Sequence, residues 1–237
     1  MKYKLYYWPV PFRGNFIRLL LEAADESYEE ATYEEILDLY SMPVEEQPFP
    51  SMAPPFLHDL DDDRFLSQMP AIVMHLAERL NFLPKDSLQS SICLKLLLDS
   101  NDVLADITNL NGTVMWEYPA WREFRENRLK RWLEIFEQTG QRFGLGTKSD
   151  YMLGGDGLSV ADIATYALWG TMIRCLPELS ADCQQYAQNI FELCQSIENR
   201  PKIQAFLENQ SQNYGSLYCG GQIEKSIREM LQQDATL

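Results

Sequence analysis

The sequence predicts a small α/β domain followed by an all-helical domain. Two observations carry this prediction: strand-like and helix-like segments alternate over the first part of the chain, and helical periodicity prevails nearly throughout the rest. The 237 residues are enough for one or two domains with a sizeable core. We place the first domain at residues 1–82, a linker at 83–88 and the helical domain at 89–237.

The first domain begins with a strand, a helix and a second strand. A tyrosine-rich, β-like segment at residues 2–8 stops at Pro9. After Gly14, apolar residues recur at the spacing of a helix with one buried face. Alternation at residues 27–33 predicts a second strand, and a β-α-β unit of this kind favours a parallel strand pair.

A short helix, a hairpin and a third helix complete this domain. The short helix is predicted at about residues 34–41, and the acidic turn at 60–63 separates the two strands of the hairpin. The third helix opens near Pro70, which a first helical turn tolerates because its missing N–H would be unpaired there. The resulting order, β-α-β-α-β-β-α, is that of a thioredoxin-like fold.

The best-defined signal in the second domain is a helix start at Ser159. Ser159 and Asp162 have the spacing of a capping box, flanked by Leu158 and Ile163 as a hydrophobic staple. We interpret this motif as a folding element and not as a functional site. The helices of this domain are predicted near residues 87–117, 120–143, 159–174, 180–198, 201–209 and 223–233.

Composition argues against several classes of function. The net charge of −15 disfavours nucleic acid or an anionic membrane as a partner. Two histidines are too few for a histidine-built metal site, so no metal is expected. The five scattered cysteines form no CxxC and indicate reduced thiols. Because Met1-Lys2 leads directly into a strand pattern and no apolar run reaches ~18 residues, we expect a cytoplasmic protein without a signal peptide or a membrane span.

Several short motifs follow one another at a specific spacing. They are Tyr7-Trp8-Pro9-Val10 with Arg13-Gly14, Ala53-Pro54-Pro55-Phe56, Gln68-Met69-Pro70-Ala71-Ile72, the capping box, and Asn199-Arg200-Pro201. Together they resemble the cytosolic glutathione transferases of the tyrosine type, the pi, mu and sigma classes, from about residue 3 to about residue 209. The resemblance implies the glutathione transferase-like fold, glutathione as co-substrate, a small hydrophobic electrophile and a homodimer.

The resemblance assigns the catalytic role to Tyr7. A thiol has a pKa of ~8.5, and a hydroxyl that donates to the sulfur stabilises the thiolate and lowers that pKa. No Ser or Cys lies between residues 8 and 14 to serve instead. Because strand side chains alternate, the other interpretation is that Tyr7 packs in the sheet while Tyr6 or Tyr3 faces outward.

The resemblance also implies a glutathione-binding set. Ala53 would pair with the cysteinyl backbone before a cis-proline, for which Pro54 is the candidate, unless the prolines merely start an edge strand. Gln68 and Met69, at a helix start, would hold the γ-glutamyl carboxylate. Asp106 matches an acid that reaches the γ-glutamyl amine across a dimer interface, or else it is a solvated helix carboxylate.

Two departures from the family pattern weaken this set. Met69 replaces the usual Ser or Thr hydroxyl. No Lys, Arg or Trp lies between Thr32 and Asp63, so that Gln47 remains as a hydrogen-bonding group for the glycine carboxylate. We therefore expect either weaker glutathione binding or a basic residue supplied from elsewhere. Arg13 is assigned to glutathione binding, with a structural role in the loop after Tyr7 as the alternative.

The pocket for the second substrate is predicted from three residues. Pro11-Phe12 is a two-residue insertion relative to pi and mu enzymes and would bring Phe12 to the mouth of the cleft. Met115 and Trp116 suggest an apolar pocket, with a core role as the alternative for Trp116. The tail at residues 214–221 either folds over the cleft or ties down the terminus.

The function predicted from this resemblance is conjugation of glutathione to a small hydrophobic electrophile. A glutathione-dependent isomerase or peroxidase is the enzymatic alternative. A binding or structural protein of the same fold that has lost turnover is the alternative of a different class, because a side-chain hydroxyl and the basic residues are missing from the glutathione site.

Overall fold

The computed structural model describes residues 2–235. Its first part contains a four-stranded sheet with the strand order β2-β1-β3-β4. β1 and β2 are parallel, whereas β1 with β3 and β3 with β4 are antiparallel. The elements are β1 (Tyr3–Tyr6), α1 (Gly14–Ala23), β2 (Tyr28–Glu30), α2 (Tyr33–Ser41), β3 (Phe56–Asp59), β4 (Arg64–Ser67) and α3 (Met69–Arg79). The predicted thioredoxin-like order is confirmed.

Burial along β1 follows the two-residue period of a strand. Tyr3 and Leu5 are fully buried, whereas Lys4 and Tyr6 are half-buried. α1 and α3 pack against each other, and their apolar faces belong to the same core as the buried residues of β1. Tyr7 continues the buried series and is 4% exposed.

The second part is helical, as predicted. Two of its long helices each contain a π-helical turn, at Phe124–Leu129 and at Tyr166–Gly170, and a 3₁₀ turn lies at Pro177–Leu179. Within residues 2–235, no helix combines the length and the apolar character needed to cross a bilayer. The helices are α4 (Ser87–Ile107), α5 (Asn109–Gly112), α6 (Tyr118–Glu123), α7 (Lys130–Phe143), α8 (Val160–Thr165), α9 (Thr171–Cys175), α10 (Ser180–Tyr186), α11 (Gln188–Glu198), α12 (Pro201–Tyr214) and α13 (Gly221–Asp234).

Three predicted helix boundaries are wrong. The helix expected at 87–117 ends at Ile107, because Leu110 and Asn111 take left-handed backbone angles with φ of 60° and 57°. The helix expected at 180–198 is interrupted at Ala187, whose φ is −151°. The helix that begins at Pro201 extends to Tyr214, beyond the predicted residue 209.

The predicted capping box at the start of α8 is present. The Asp162 carboxylate accepts hydrogen bonds from the Ser159 N–H at 2.8 Å and from the Ser159 hydroxyl at 2.6 Å. It also accepts the Met152 N–H at 2.6 Å, so it fixes the preceding loop as well. The N–H of Val160, at the start of α8, donates to the Phe82 carbonyl at 2.9 Å, which joins this helix to the segment after α3.

Candidate functional site

The register of the sheet brings several of the predicted site residues to one edge. Tyr6, the last residue of β1, lies opposite Phe56, the first residue of β3. Phe56 in turn lies opposite Ser67, the last residue of β4. Tyr7, the two prolines before Phe56 and Gln68 therefore flank neighbouring strand ends, and α3 begins at the same edge.

Tyr7 is a buried phenol at the turn between β1 and α1. Its hydroxyl oxygen accepts a hydrogen bond from the Arg13 backbone N–H at 3.2 Å. Burial raises the pKa of Tyr7 to about 12, although the positive charges of Arg13 and Arg18 oppose this shift. The hydroxyl is therefore protonated at neutral pH, the form that can donate a hydrogen bond to a thiolate.

Gly14 lets the Tyr7 ring lie directly on the start of α1. A Cβ at Gly14 would lie 2.4 Å from Cδ1 of Tyr7 and 2.5 Å from Nη1 of Arg18. Both distances are well inside van der Waals contact, so a glycine is required here for close approach and not for its backbone freedom.

Arg18 is a functional candidate that the sequence analysis missed. Its side chain is 1% exposed and forms an ion pair with Glu30 of β2, with Nε to Oε1 at 2.5 Å. Nη1 donates to the Val10 carbonyl at 2.8 Å, and Nη2 points to the Trp8 carbonyl at 3.4 Å. The guanidinium also lies 5.6 Å from the centre of the Tyr7 ring. Arg18 thus holds the loop that follows Tyr7, and the available signal was an arginine inside an otherwise apolar helical run.

The Arg13 side chain is hydrogen-bonded to the helical domain. Nε donates to the Asn101 side chain of α4 at 3.0 Å, and Nη2 donates to the Asn111 side chain at 2.8 Å. The backbone of Arg13 therefore contacts the Tyr7 hydroxyl, while its side chain attaches the loop to the helical domain.

The cis-proline lies one residue later than predicted. The cis peptide bond joins Pro54 to Pro55, not Ala53 to Pro54. Both bonds precede a proline and both admit the cis form, so the sequence could not distinguish them. Pro54 and Pro55 are buried and Ala53 is exposed. Since neither proline has an N–H, this pair can offer an extended peptide only its carbonyl oxygens.

At the start of α3, the backbone offers the binding groups. Met69 is 1% exposed and its side chain fills the core, so only its N–H can serve an anion. Gln68 is exposed and has a φ of 71°, an uncommon conformation for a residue other than glycine.

The Gln47 amide closes the loop before β3, because it accepts the Ser51 N–H at 2.8 Å and donates to the Met42 carbonyl at 3.3 Å.

Asp106 has partners within the chain. Its carboxylate accepts hydrogen bonds from Nε of Arg128 at 2.5 Å and from Nε1 of Trp132 at 2.8 Å. Both partners lie on the helical stretch formed by the first π-helical turn and α7. Asp106 thus joins this stretch to α4, and a contact with a γ-glutamyl amine would have to compete with these two donors.

Trp116 does not lie on a long helix but in the connection between α5 and α6. Its indole N–H donates to the Ile107 carbonyl at 2.9 Å, and its ring centroid lies 5.5 Å from Trp121 and 5.1 Å from Phe124. The neighbouring Met115 is 39% exposed. These contacts agree with the core interpretation of Trp116.

Phe12 is covered by the C-terminal loop, residues 215–220 between α12 and α13. The sequence analysis predicted Phe12 at the mouth of an open cleft. Instead, Phe12 is buried, with 7% of its surface exposed. Its ring meets the Tyr218 ring edge-on, with centroids 5.3 Å apart. Of the two possibilities for the tail, this region folds over the loop that follows Tyr7.

The cysteines do not compete with an external thiol. All five lie as free thiols, and four of them are buried. Burial raises the pKa of Cys219, which lies in the C-terminal loop, to about 12, so this thiol is protonated at neutral pH. Among residues 2–235, no group of three His, Cys, Asp or Glu side chains is arranged to hold a metal ion.

Comparison with known proteins places the chain in a family. Residues 92–230, more than half of the chain, match the family model described as "Glutathione S-transferase, C-terminal domain". The chain belongs to the glutathione S-transferase family, as the motifs of the sequence predict. No curated protein matches the sequence.

Three solved structures share the fold of this chain. A pi-class glutathione S-transferase of Onchocerca volvulus aligns over 93% of this chain and 98% of its own, with a TM-score of 0.72 and 21% identity. A prostaglandin synthase D of Nilaparvata lugens aligns over 89% and 99%, with a TM-score of 0.69 and 19% identity. A Nu-class glutathione S-transferase of Haemonchus contortus aligns over 88% and 96%, with a TM-score of 0.65 and 21% identity. These matches show the two-part fold that the sequence predicts.

Proposed function

We propose that this protein is a glutathione transferase that joins the glutathione thiolate to small hydrophobic electrophiles. The observation that carries the proposal is the Tyr7 hydroxyl, which is buried, protonated and located at the sheet edge where α3 begins. A hydroxyl that donates to the sulfur stabilises the thiolate and so lowers the thiol pKa from ~8.5 toward neutrality.

The same sheet edge offers groups for the rest of glutathione. The N–H of Met69, at the start of the 11-residue helix α3, suits the γ-glutamyl carboxylate because a helix N-terminus favours an anion. The Ala53 and Pro54 backbone suits the cysteinyl segment through its carbonyls. Asp106 would meet the γ-glutamyl amine across a homodimer interface. In this proposal the protein acts in the cytoplasm, where its five thiols stay reduced.

Binding of glutathione is expected to be weak. The Gln68 side chain makes no capping hydrogen bond, and Met69 contributes no side-chain donor. The segment before β3 supplies Gln47 for the glycine carboxylate but no positive charge, so the charge-assisted contact is missing.

A second candidate is a glutathione S-transferase-fold protein that binds without turnover. The observation that favours it is the cover over Tyr7, since Phe12 and Tyr218 are both buried at the place where substrates would enter. In that case the C-terminal loop would stay closed and Tyr7 would be a core residue.

Turnover of a chloronitrobenzene with glutathione distinguishes the two candidates. We expect wild type to be active and Tyr7→Phe to lose roughly 10²- to 10³-fold in kcat, the effect of removing one hydrogen-bond donor to a developing charge. Tyr166→Phe is the matched control, because Tyr166 is also a buried tyrosine but lies in the helical domain. An inactive wild type whose melting temperature does not rise with glutathione would refute the transferase proposal. Full activity in Tyr7→Phe would refute the role of Tyr7.

A further inference from the structure

The sheet edge that carries Tyr7 begins at α2 and ends at α3. β2 is parallel to β1, β3 is antiparallel to β1 and β4 is antiparallel to β3, so the ends of β1, β2 and β4 share one edge with the start of β3. The strand order therefore arranges the groups along this edge as α2, Tyr7, the two prolines before Phe56, and α3. Neighbouring strands lie ~4.8 Å apart, so this edge is about 14 Å long.

Glutathione bound along this edge would reach α2 with its glycine end. In the proposed function, the γ-glutamyl end lies at the start of α3 and the sulfur lies beside Tyr7. An extended chain of three residues spans roughly 10 Å, so the glycine end continues past β1 toward β2 and the start of α2. The groups at that end of the edge decide which thiol the site accepts.

Three aromatic side chains, Trp8, Tyr33 and Tyr40, meet at this end and are called the aromatic cluster below. Trp8 follows Tyr7 directly, and the two tyrosines lie seven residues apart on one face of α2. The Trp8 ring centroid lies 6.1 Å from that of Tyr33 and 6.0 Å from that of Tyr40, with the ring planes inclined by 52° and 74°. Tyr33 is 53% exposed and Tyr40 is 48% exposed, so both rings are accessible to a bound molecule.

Basic side chains around the aromatic cluster are already paired with acids. α2 and the segment between it and β3 contain neither Lys nor Arg. Lys4 of β1 contacts Glu35 at 2.6 Å and Glu29 at 3.3 Å. Arg18 of α1 is paired with Glu30. Neither of these cations is free to hold the carboxylate of a glycine.

The start of α2 is also unsuited to an anion. A helix N-terminus attracts anions through its free N–H groups. Here the Thr32 hydroxyl accepts the Glu35 N–H at 3.2 Å, and the Glu35 carboxylate accepts the Thr32 N–H at 2.8 Å. Glu34 and Asp38 are exposed on the same helix and add negative charge. This end of the edge therefore disfavours a carboxylate and favours a cation.

We propose that the thiol co-substrate is a glutathione whose glycine carboxyl forms an amide with an amine that carries a further positive charge, and that the aromatic cluster binds this cation. Cations are attracted to the faces of Trp and Tyr rings. One cause then accounts for the accessible rings, the surrounding acids and the missing positive charge. The inference rests on the proposed function and deepens it.

The chemistry at the sulfur is the same for every thiol of this class. With a chloronitrobenzene, the thiolate sulfur bonds to the ring carbon, the bond from that carbon to chlorine breaks, and chloride leaves with its electron pair. The group at the glycine end takes no part in these steps. Its contacts are therefore equal in the ground state and the transition state, and the preference should appear in KM and not in kcat.

Three thiols that differ only at the glycine end test this inference on wild type. Glutathione is negative there, its glycine ethyl ester is neutral, and its glycine amide with 3-(dimethylamino)propylamine is positive. We expect kcat/KM with a chloronitrobenzene to rise in this order, with about a tenfold preference for the cationic amide over the ester, as for contacts of one cation with two rings.

Variants of the two tyrosines locate the preference. The double variant Tyr33→Leu with Tyr40→Leu should lower the preference for the cationic amide over the ester to less than about threefold, because the apolar side chains have no ring face. Tyr186→Leu is the matched control and should leave it unchanged. Tyr186 is a half-buried helix tyrosine with a cation, Lys130, 4.9 Å from its ring centroid, but it lies on α10 in the helical domain.

The outcomes separate this inference from the proposed function. A wild type that conjugates none of the three thiols would refute the transferase proposal itself. A wild type that prefers glutathione, or that treats the three thiols alike, would overturn the inference and leave the transferase proposal standing. An undiminished preference in the double variant would also overturn it, because the cation would then be bound elsewhere.

Discussion

Arg18 is the residue on which we expect the geometry of Tyr7 to depend most. Its guanidinium is almost fully buried and donates to both oxygens of Glu30, at 2.5 and 2.9 Å, and to the Val10 carbonyl at 2.8 Å. We predict that Arg18→Met, which keeps a long apolar stem but removes the charge and the donors, lowers both the stability of the protein and the rate of conjugation.

The expected loss of stability in Arg18→Met follows from the ion pair and the hydrogen bond to a backbone carbonyl that the substitution removes. Breaking a buried ion pair costs roughly 3–5 kcal/mol when the remaining charge stays buried. The Glu30 side chain is 35% exposed, so water can solvate its carboxylate and the cost is smaller. The Val10 carbonyl adds roughly 1–3 kcal/mol as an unpaired acceptor. We expect a total loss of about 3 kcal/mol, which corresponds to a fall in melting temperature of about 6–12 °C for a chain of this length.

Denaturant unfolding and glutathione conjugation measure the two effects. The control is Arg122→Met, since Arg122 is an exposed helix residue that pairs with Glu126, and water replaces this contact at little cost in stability. The double variant Arg18→Met with Glu30→Gln should recover part of the loss, because no unpaired charge remains. Equal destabilisation by Arg18→Met and Arg122→Met would refute the argument that the Arg18 contacts stabilise the protein more because they are buried. A destabilised Arg18→Met with full activity would refute the claim that Arg18 positions Tyr7.

Two further predictions concern the same region. Gly14→Ala should destabilise the protein by about 1–3 kcal/mol in thermal unfolding, because the alanine Cβ would overlap the Tyr7 ring. This loss is expected although alanine is the better helix former. An unchanged or raised melting temperature would contradict the close approach of the Tyr7 ring to the backbone of residue 14. For Glu224, burial alone would raise the pKa of its carboxyl, but the N–H groups of Gly220 and Tyr218 and the Arg228 guanidinium hold this pKa below its ordinary value. A carboxyl whose pKa is lower in the folded than in the unfolded protein stabilises the fold at pH values above its ordinary pKa. This contribution is lost as the pH falls through the pKa of the folded state. The difference in unfolding free energy between wild type and Glu224→Gln should therefore shrink on acidification from about pH 7 to about pH 3, and a constant difference would rule out this role of Glu224.

Sequence reasoning succeeded where the signal is local. The apolar spacing after Gly14 and the capping box at Ser159 are each set by a few neighbouring residues, and both elements occur as predicted. The end of α4 was missed because Asn109-Leu110-Asn111-Gly112 contains residues that tolerate or favour left-handed angles, yet the surrounding periodicity is still helical. Periodicity alone does not register such a break.

The parts of the site that escaped prediction depend on contacts distant in sequence. The burial of Arg18 requires Glu30 on a parallel strand, and the burial of Phe12 requires Tyr218 from the other end of the chain. Neither partner can be chosen from spacing, because many acids and aromatic residues have equivalent local surroundings. Family resemblance did not supply them either, since the motifs that carry it end near residue 209 and the C-terminal loop lies beyond them.

The closed C-terminal loop and the chemistry proposed for Tyr7 impose opposite requirements. A hydroxyl stabilises a thiolate more strongly in a dry site, because hydrogen bonds to charged groups gain strength when water is excluded. In the proposed transferase, the contact between Tyr218 and Phe12 would supply that exclusion, but it would also block the entry of both substrates. Three N–H groups of the loop donate to Glu224 in the first turns of α13, so opening would have to break these hydrogen bonds or move the start of α13 together with the loop. If the proposed function holds, part of the binding energy of the substrates would be used to open the C-terminal loop, and turnover would be limited by this movement more than by the bond-forming step.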